Sequence, residues 1–118
     1  MARLVIKCTW GEERPETLMQ AFTVAATAAA SGNDVSLWLT GDAVWQAVAT
    51  TPDVLLDHSP PLSSLREAIL AQGSVTVCAQ CALRRDITDA DLVPGARIAG
   101  AALFVEEATG PAATALVY

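Results

Sequence analysis

The chain has 118 residues, which suits a single domain over residues 1–118 that can bury a core without disulfide staples. Seven basic and 13 acidic side chains give a net charge of −6, which disfavours nucleic acid and anionic membrane surfaces as partners. No apolar run reaches the roughly 20 residues of a membrane span, and no signal peptide is recognisable. We therefore expect a cytoplasmic protein whose three cysteines are reduced thiols.

Short β-branched runs alternate along the chain with segments that carry apolar residues at helical spacing. Strands are predicted over residues 4–6, 35–39, 75–77, 96–98 and 114–118. Helices are predicted over residues 15–30, 42–49, 61–72, 78–85 and 101–108, with a capped turn at 88–91. Pro15 suits the first turn of the first helix, Asp42 is the expected N-cap of the second, and Gly73 ends the third.

This alternation of strands and helices is typical of βαβ units. It predicts an α/β fold of Rossmann-like order, with a mostly parallel sheet covered on both faces. Ligands and chemistry in such sheets lie beyond the carboxyl ends of the strands. Loops over residues 8–14, 40–42 and 78–85 are expected at that edge. No phosphate-binding G-x-x-x-x-G-K-[ST] or G-x-G-x-x-G pattern is present, so nucleotide binding is not expected.

Cys78 is the principal candidate for chemistry. It follows a buried strand and opens a short helix, which places its sulfur near free backbone N–H groups and the positive end of the helix dipole. Cys81 lies one turn further on the same side, and Arg84 and Arg85 would add positive potential or hold an anionic partner group. The alternative is that Cys78 is a small buried apolar side chain and the arginines are only solvated.

The C-x-x-C spacing of Cys78 and Cys81 has three known uses. A zinc site needs four ligands, and Cys8 and His58 form no second pair, so we expect no metal. A thioredoxin-like redox pair also begins a helix after a strand. The third use is a single nucleophilic thiol that carries sulfur, with Cys81 as helper or bystander. Spacing alone does not separate the last two uses.

The other two loops at this edge supply residues that we expect to line a pocket beside the thiols. They are Cys8, Trp10, Gly11, Glu13, Thr40, Gly41 and Asp42. For Cys8, burial in the core is the simpler interpretation. A Ser/His/Asp triad is not expected, because the only histidine, His58, lies in a proline-rich loop. The small residues at 25–30 and 99–102, together with the tryptophans, are candidates for subunit contacts.

The segment over residues 75–89, VTVCAQCALRRDITD, resembles the signature of the DsrE/TusD/YchN-like family of small sulfur-relay proteins. Three further segments support the resemblance. They are GEER at residues 11–14 after the first strand, LWLTGDAV at residues 37–44, and the closing ALVY at residues 115–118. The resemblance extends over nearly the whole chain in order, and its most specific part runs from the first cysteine of the C-x-x-C pair to residue 89.

The resemblance implies a DsrE-like fold, a three-layer α/β/α sandwich with a parallel five-stranded sheet, assembled as homotrimers, homohexamers or related hetero-assemblies. It implies that Cys78 accepts sulfane sulfur as a persulfide and passes it to the next carrier. Cys81 matches a second cysteine of the YchN-like branch, whereas the run that includes both arginines is more similar to the TusD branch. Asp86 departs from the family pattern, in which Gly is expected there. If the site requires positive φ, Asp tolerates it better than most residues but at some cost, so a different turn after the cysteine helix, and with it different partner docking, is an expectation.

Three functional hypotheses follow from these residues. The leading one is a sulfur carrier or sulfurtransferase subunit that uses Cys78 and exchanges sulfur with donor and acceptor proteins, without a bound cofactor. The second is a thiol–disulfide redox protein that uses Cys78 and Cys81. The third is a non-catalytic oligomeric binding module in which the cysteines are incidental.

Overall fold

Five strands form one sheet in the computed structural model, which describes residues 2–118. The strands are β1 (Arg3–Cys8), β2 (Asp34–Leu39), β3 (Ser74–Cys78), β4 (Arg97–Ala99) and β5 (Ala113–Val117). Their order in the sheet is β4-β3-β2-β1-β5, and every neighbouring pair is parallel. The predicted α/β fold is therefore confirmed, and the carboxyl ends of all five strands meet at one edge.

Four α-helices and two short 3-10 helices complete the domain. They are α1 (Pro15–Ala30), α2 (Leu62–Gln72), α3 (Ala79–Arg84) and α4 (Ala101–Ala108), with 3-10 helices at Gly41–Ala47 and Asp89–Asp91. Helices α1 and α2 pack together against β1, β2 and β3 on one face of the sheet. Helix α4 lies on the other face, where the Phe104 ring meets Trp38 edge-on with 5.5 Å between ring centroids. The result is a three-layer α/β/α sandwich.

The segment after β2 differs in length and in its cap from the predicted helix over residues 42–49 with Asp42 at its N-cap. It forms the 3-10 helix Gly41–Ala47, with Thr40 at the N-cap position and no side-chain hydrogen bond to the cap. Asp42 lies within the first turn, where one carboxylate oxygen accepts hydrogen bonds from Nε and a terminal nitrogen of Arg85. An N-cap aspartate uses its carboxylate to accept hydrogen bonds from backbone N–H groups. The Asp42 carboxylate instead pairs with Arg85, which follows α3.

The face of the sheet under α1 and α2 is closed by apolar side chains. Ile6, Phe22 and Leu37 are fully buried in this core. Ala25 and Ala29, which the sequence offered as subunit contacts, are also buried inside the chain's own core, whereas Ala101 and Ala102 are exposed. None of the helices within residues 2–118 is long and apolar enough to cross a membrane.

The opposite face, under α4, is closed around a buried carboxylate. Glu107 of α4 accepts hydrogen bonds from Ser36 Oγ at 2.5 Å and Trp38 Nε1 at 3.0 Å, and from the Arg97 guanidinium at 3.0 Å. Burial by itself raises the pKa of Glu107, but these hydrogen bonds and the charge of Arg3 outweigh it and hold the pKa below its ordinary value. A charged, fully bonded group therefore fastens a helix of only eight residues to the sheet.

Candidate functional site

Cys78 is the last residue of β3 and stands at the N-cap position of α3. Its register partner in β4 is Ala99, and its side chain is half-buried. Because side chains alternate along a strand, Cys78 shares the α4 face of the sheet with Thr76, whereas Val77 between them faces the apolar core. The sulfur is therefore at the carboxyl edge of the sheet and beside α4.

The surroundings of Cys78 favour its thiolate. Burial opposes ionisation of the sulfur, but the backbone N–H groups of Cys81 and Gln80, the Cys81 thiol and the Lys7 ammonium together outweigh burial. The pKa of Cys78 is consequently lowered from its ordinary value of 9.0. A half-buried thiol with a lowered pKa combines reactivity with access from solvent.

Cys81 lies one helical turn along α3 and connects Cys78 with the loop after β2. Its sulfur is buried and accepts a hydrogen bond from the backbone N–H of Gly41 at 3.2 Å. The neighbouring Cys81 thiol also contributes to the lowered pKa of Cys78. Cys81 is therefore fixed by the loop after β2 at a position one helical turn from the candidate nucleophile.

A small cavity of about 60 Å³ adjoins Cys78 between the sheet and α4. The remaining lining residues are Lys7, Trp38, Thr40, Ala101 and Phe104. The Lys7 ammonium lies 5.4 Å from the centroid of the Phe104 ring, at cation–π distance. No carboxylate within residues 2–118 forms an ion pair with it. Among these residues, the sequence analysis named only Thr40 as lining the pocket. Lys7 could not be found in this way, because it reaches the site through side-chain alternation in β1 and through the order of β1, β2 and β3 in the sheet.

The two arginines predicted to support Cys78 are placed differently from each other. Arg85 donates to the carboxylate of Asp42 at 2.9 Å and to the carbonyl oxygen of Cys81 at 3.1 Å. It therefore joins the end of α3 to the neighbouring 3-10 helix. Arg84 is exposed and, within the described residues 2–118, makes no side-chain hydrogen bond or ion pair. Lys7, and not an arginine, supplies the positive charge that lowers the pKa of Cys78.

Cys8 ends β1 at the same edge, but it lies in the apolar core. Its side chain is fully buried, and its thiol donates to the carbonyl oxygen of Trp10 at 3.3 Å. Burial, with a smaller contribution from the negative charge of Glu13, raises the pKa of Cys8 to about 11. The ring of Trp10 is partly exposed and stacks beneath the Arg14 guanidinium at 4.2 Å.

Two of the remaining predicted pocket residues line a neighbouring cleft instead of the wall beside Cys78. Glu13 and Asp42 line a cleft of about 410 Å³ together with Trp45. The Glu13 carboxylate also accepts a hydrogen bond from the backbone N–H of Gly11. Gly11 is packed so closely that a Cβ there would lie 2.6 Å from the carbonyl oxygen of Asp42, which explains why this position requires glycine.

Asp86 ends the cysteine segment with a φ of 55°, in the left-handed region. The turn therefore keeps the conformation that a glycine would adopt, and the aspartate carries the strain. Within residues 2–118, no three His, Cys, Asp or Glu side chains are grouped so that they could hold a metal ion. A larger cavity of about 650 Å³ lies between α1 and residues 56–59 and includes none of the predicted site residues.

Comparison with known proteins agrees with this architecture. The sequence profile of the DsrE/DsrF-like family matches residues 5–109. The structure of the ychN protein from E. coli is similar over 100% of both chains, with a TM-score of 0.84 and 21% sequence identity. A protein of unknown function from Methanobacterium thermoautotrophicum, MTH1491, is also similar over 100% of both chains, with a TM-score of 0.78 and 8% identity. No curated protein is significantly similar to the sequence.

At these identities the two solved structures confirm the fold alone, while the family profile extends over most of the chain. The predicted family resemblance is therefore confirmed. The chain belongs to the DsrE/DsrF-like family, whose members are in general sulfur-relay proteins.

Proposed function

We propose that this protein is a sulfur carrier that accepts sulfane sulfur as a persulfide on Cys78 and passes it to a partner thiol. The observation that carries the proposal is the half-buried Cys78 sulfur, whose pKa is lowered by two backbone N–H groups, the Cys81 thiol and the Lys7 ammonium despite partial burial. Sulfur transfer begins with attack by a thiolate, so a sulfur that ionises more readily than an ordinary cysteine suits the first step.

The transfer balances without an external oxidant. The Cys78 thiolate attacks the outer sulfur of a donor persulfide, the donor's S–S bond breaks, and the donor leaves as a thiolate. A new S–S bond then joins Cys78 to the transferred sulfur. In the second step an acceptor thiolate attacks that outer sulfur, and Cys78 leaves with the electron pair of the S–S bond. The same N–H groups that lower the pKa of Cys78 stabilise it as the leaving thiolate.

A carrier of this kind works between proteins, so we propose donor and acceptor proteins as partners. We also propose a homotrimer or homohexamer, as the family resemblance implies. Exposed apolar side chains at Leu83, Val105 and Val117 would support such contacts. All three cysteines are free thiols, which is consistent with a cytoplasmic location for the proposed relay.

A thiol–disulfide redox protein is the second candidate function. The position of Cys81 one helical turn from Cys78, with its thiol contributing to the lowered pKa of Cys78, favours it, because these are the two thiols that would form the disulfide. Oxidation would remove two electrons and two protons from the pair and needs a disulfide partner as oxidant. Sulfur transfer instead adds one sulfur atom to Cys78 and leaves Cys81 as a thiol.

Intact-mass spectrometry after incubation with a small-molecule persulfide distinguishes these functions. We expect the wild-type protein and a Cys8→Ala control to gain one sulfur atom, and Cys78→Ser to gain none. The adduct should be located on the peptide that contains Cys78. A wild-type protein that loses two hydrogen atoms and never gains sulfur would favour the redox function. Equal sulfur uptake by Cys78→Ser would contradict Cys78 as the carrier.

A further inference from the structure

We propose that the 60 Å³ cavity beside Cys78 receives the outer sulfur atom of the persulfide and that Lys7 is the counter-ion that holds this sulfur as an anion. This inference rests on the proposed sulfur-carrier function and specifies its cargo: one sulfur atom at a time, in anionic form. It assigns a role to the only lysine of the chain, which the sequence did not single out.

The volume of the cavity limits what can occupy it. At about 60 Å³ the cavity has room for a sulfur atom and is too small to enclose the body of a thiol compound. The donor and acceptor thiols must then approach from the solvent side, where Cys78 is partly exposed.

The polar groups around the cavity leave one donor for an anion. Trp38 Nε1 already donates to Glu107 at 3.0 Å, and the Thr40 hydroxyl is 3.4 Å from the carbonyl oxygen of Cys8. Within residues 2–118, only the Lys7 ammonium among these groups has no hydrogen-bond or ion-pair partner. A half-buried cation that contacts an aromatic ring but no protein anion, in the wall of a cavity, is suited to an anionic ligand.

The rest of the wall suits sulfur in particular. The rings of Trp38 and Phe104 meet there edge-on, and sulfur is polarisable and packs favourably against aromatic rings. Different groups therefore act on the two sulfur atoms of the persulfide. The N–H groups of α3 and the Cys81 thiol hold the inner sulfur of Cys78, and Lys7 holds the outer one. When an acceptor thiolate takes the outer sulfur, the S–S bond electrons return to Cys78 and Lys7 is again free.

The test measures how well the loaded sulfur is protected. Wild-type protein and variants are loaded with a small-molecule persulfide, and cyanide is added to remove the outer sulfur as thiocyanate. Ala101→Leu reduces the cavity from the exposed side of α4, with Ala102→Leu as its control at the next, also exposed, position. Lys7→Gln removes the charge, with Lys7→Arg as the variant that retains it. Circular dichroism checks that every variant is folded.

We expect both Ala101→Leu and Lys7→Gln to lose the outer sulfur about tenfold faster than the wild type. The first fills the cavity that encloses the outer sulfur, and the second removes the charge-assisted contact with it. Ala102→Leu and Lys7→Arg should remain within about twofold of the wild type. If all four variants load and release sulfur like the wild type, this inference is overturned and the sulfur-carrier function stands. If the wild-type protein never gains sulfur, both fail.

Discussion

Cys8 and Cys78 occupy equivalent positions in the fold and have opposite chemical properties. Each is the last residue of a parallel strand, and both strands end at the same edge of the sheet. Cys8 is fully buried with a pKa raised to about 11, whereas Cys78 is half-buried with a pKa below 9.0. The end of a parallel strand is therefore not by itself a reactive position.

The difference arises from the face of the sheet that each side chain occupies. Cys8 faces α1 with Ile6, in the apolar core. Cys78 faces α4, where Glu107 and its partners form a polar layer and a small cavity remains. Lys7 and Cys8 are adjacent in β1, and alternation sends the ammonium towards Cys78 and the thiol into the core. A shift of one residue in β1 would exchange these two environments.

Alkylation of the two cysteines tests this comparison most directly and has the largest expected effect. With iodoacetamide at neutral pH, Cys78 should react at least about tenfold faster than Cys8. A pKa difference of about two units changes the thiolate fraction about a hundredfold, and the lower nucleophilicity of the more acidic thiolate offsets only part of this gain. Peptide mass spectrometry gives both rates. The rate at Cys78 should rise with pH to a midpoint below 9.0, and that at Cys8 only towards about 11. Equal rates in the folded protein would contradict the comparison, and in denaturant the rates should converge.

Weakening the polar contacts under α4 should lower the stability of the fold. Glu107→Gln should lower the free energy of unfolding by about 2 kcal/mol, because it weakens buried hydrogen bonds to a charged acceptor. Urea denaturation at constant protein concentration measures this, with the exposed neighbour Glu106→Gln as a control that should remain within about 0.5 kcal/mol.

The pH dependence of that difference follows from the lowered pKa of Glu107. The folded state binds the proton less tightly than the unfolded state, so the carboxylate contributes its full stability above pH 4.5. The advantage of the wild type over Glu107→Gln should decline as pH falls through the lowered pKa. An advantage that persists unchanged in acid would show that the charge of Glu107 does not stabilise this face.

Removing the neighbouring thiol should have a smaller effect on Cys78. Cys81→Ala deletes the side-chain donor but keeps the backbone N–H, so the pKa of Cys78 should rise and its alkylation at neutral pH should slow about fivefold. Cys81→Ser retains an O–H donor and should recover most of the rate. The rate at Cys8 should not change in either variant. If Cys81→Ser were as slow as Cys81→Ala, the role of Cys81 would be in packing and not in hydrogen bonding.

The smallest effect is expected at the turn after α3. Asp86→Gly should change the free energy of unfolding by no more than about 0.5 kcal/mol, because relief of the left-handed strain is balanced by the entropy of glycine in the unfolded chain. Asp86→Val should lower it by about 1 kcal/mol or more, since a β-branched residue is strongly disfavoured at this φ. Thermal denaturation compares the three proteins. A stable Asp86→Val variant would mean that the turn adopts another conformation.

Local patterns in the sequence predict most of the fold. Pro15 opens α1, Gly73 ends α2, and α4 covers the residues 101–108 that the apolar spacing indicates. The position of Cys78 between a strand and a helix also follows from local signals. The second predicted helix is present but shorter than expected, and its predicted cap was wrong, because Asp42 pairs with a residue more than 40 positions away.

The walls of the candidate site could not be predicted in this way. Lys7, Trp38 and Phe104 come together only through strand order, register and the packing of α4, which are long-range properties. Alternation in β1 places Lys7 and Cys8 on opposite faces, but it does not show which face Cys78 shares. That knowledge requires the order β3-β2-β1.

The bridge between Arg85 and Asp42 has a consequence for how the thiol is tuned. Arg85 also binds the carbonyl oxygen of Cys81, while the residue before Asp42 donates its N–H to the Cys81 sulfur. These contacts hold the end of α3 against the 3-10 helix that follows β2, and all of them lie within the chain itself. The lowered pKa of Cys78 thus arises within the fold itself, so the proposed donor and acceptor proteins would have only to reach the sulfur and would not need to reshape its surroundings.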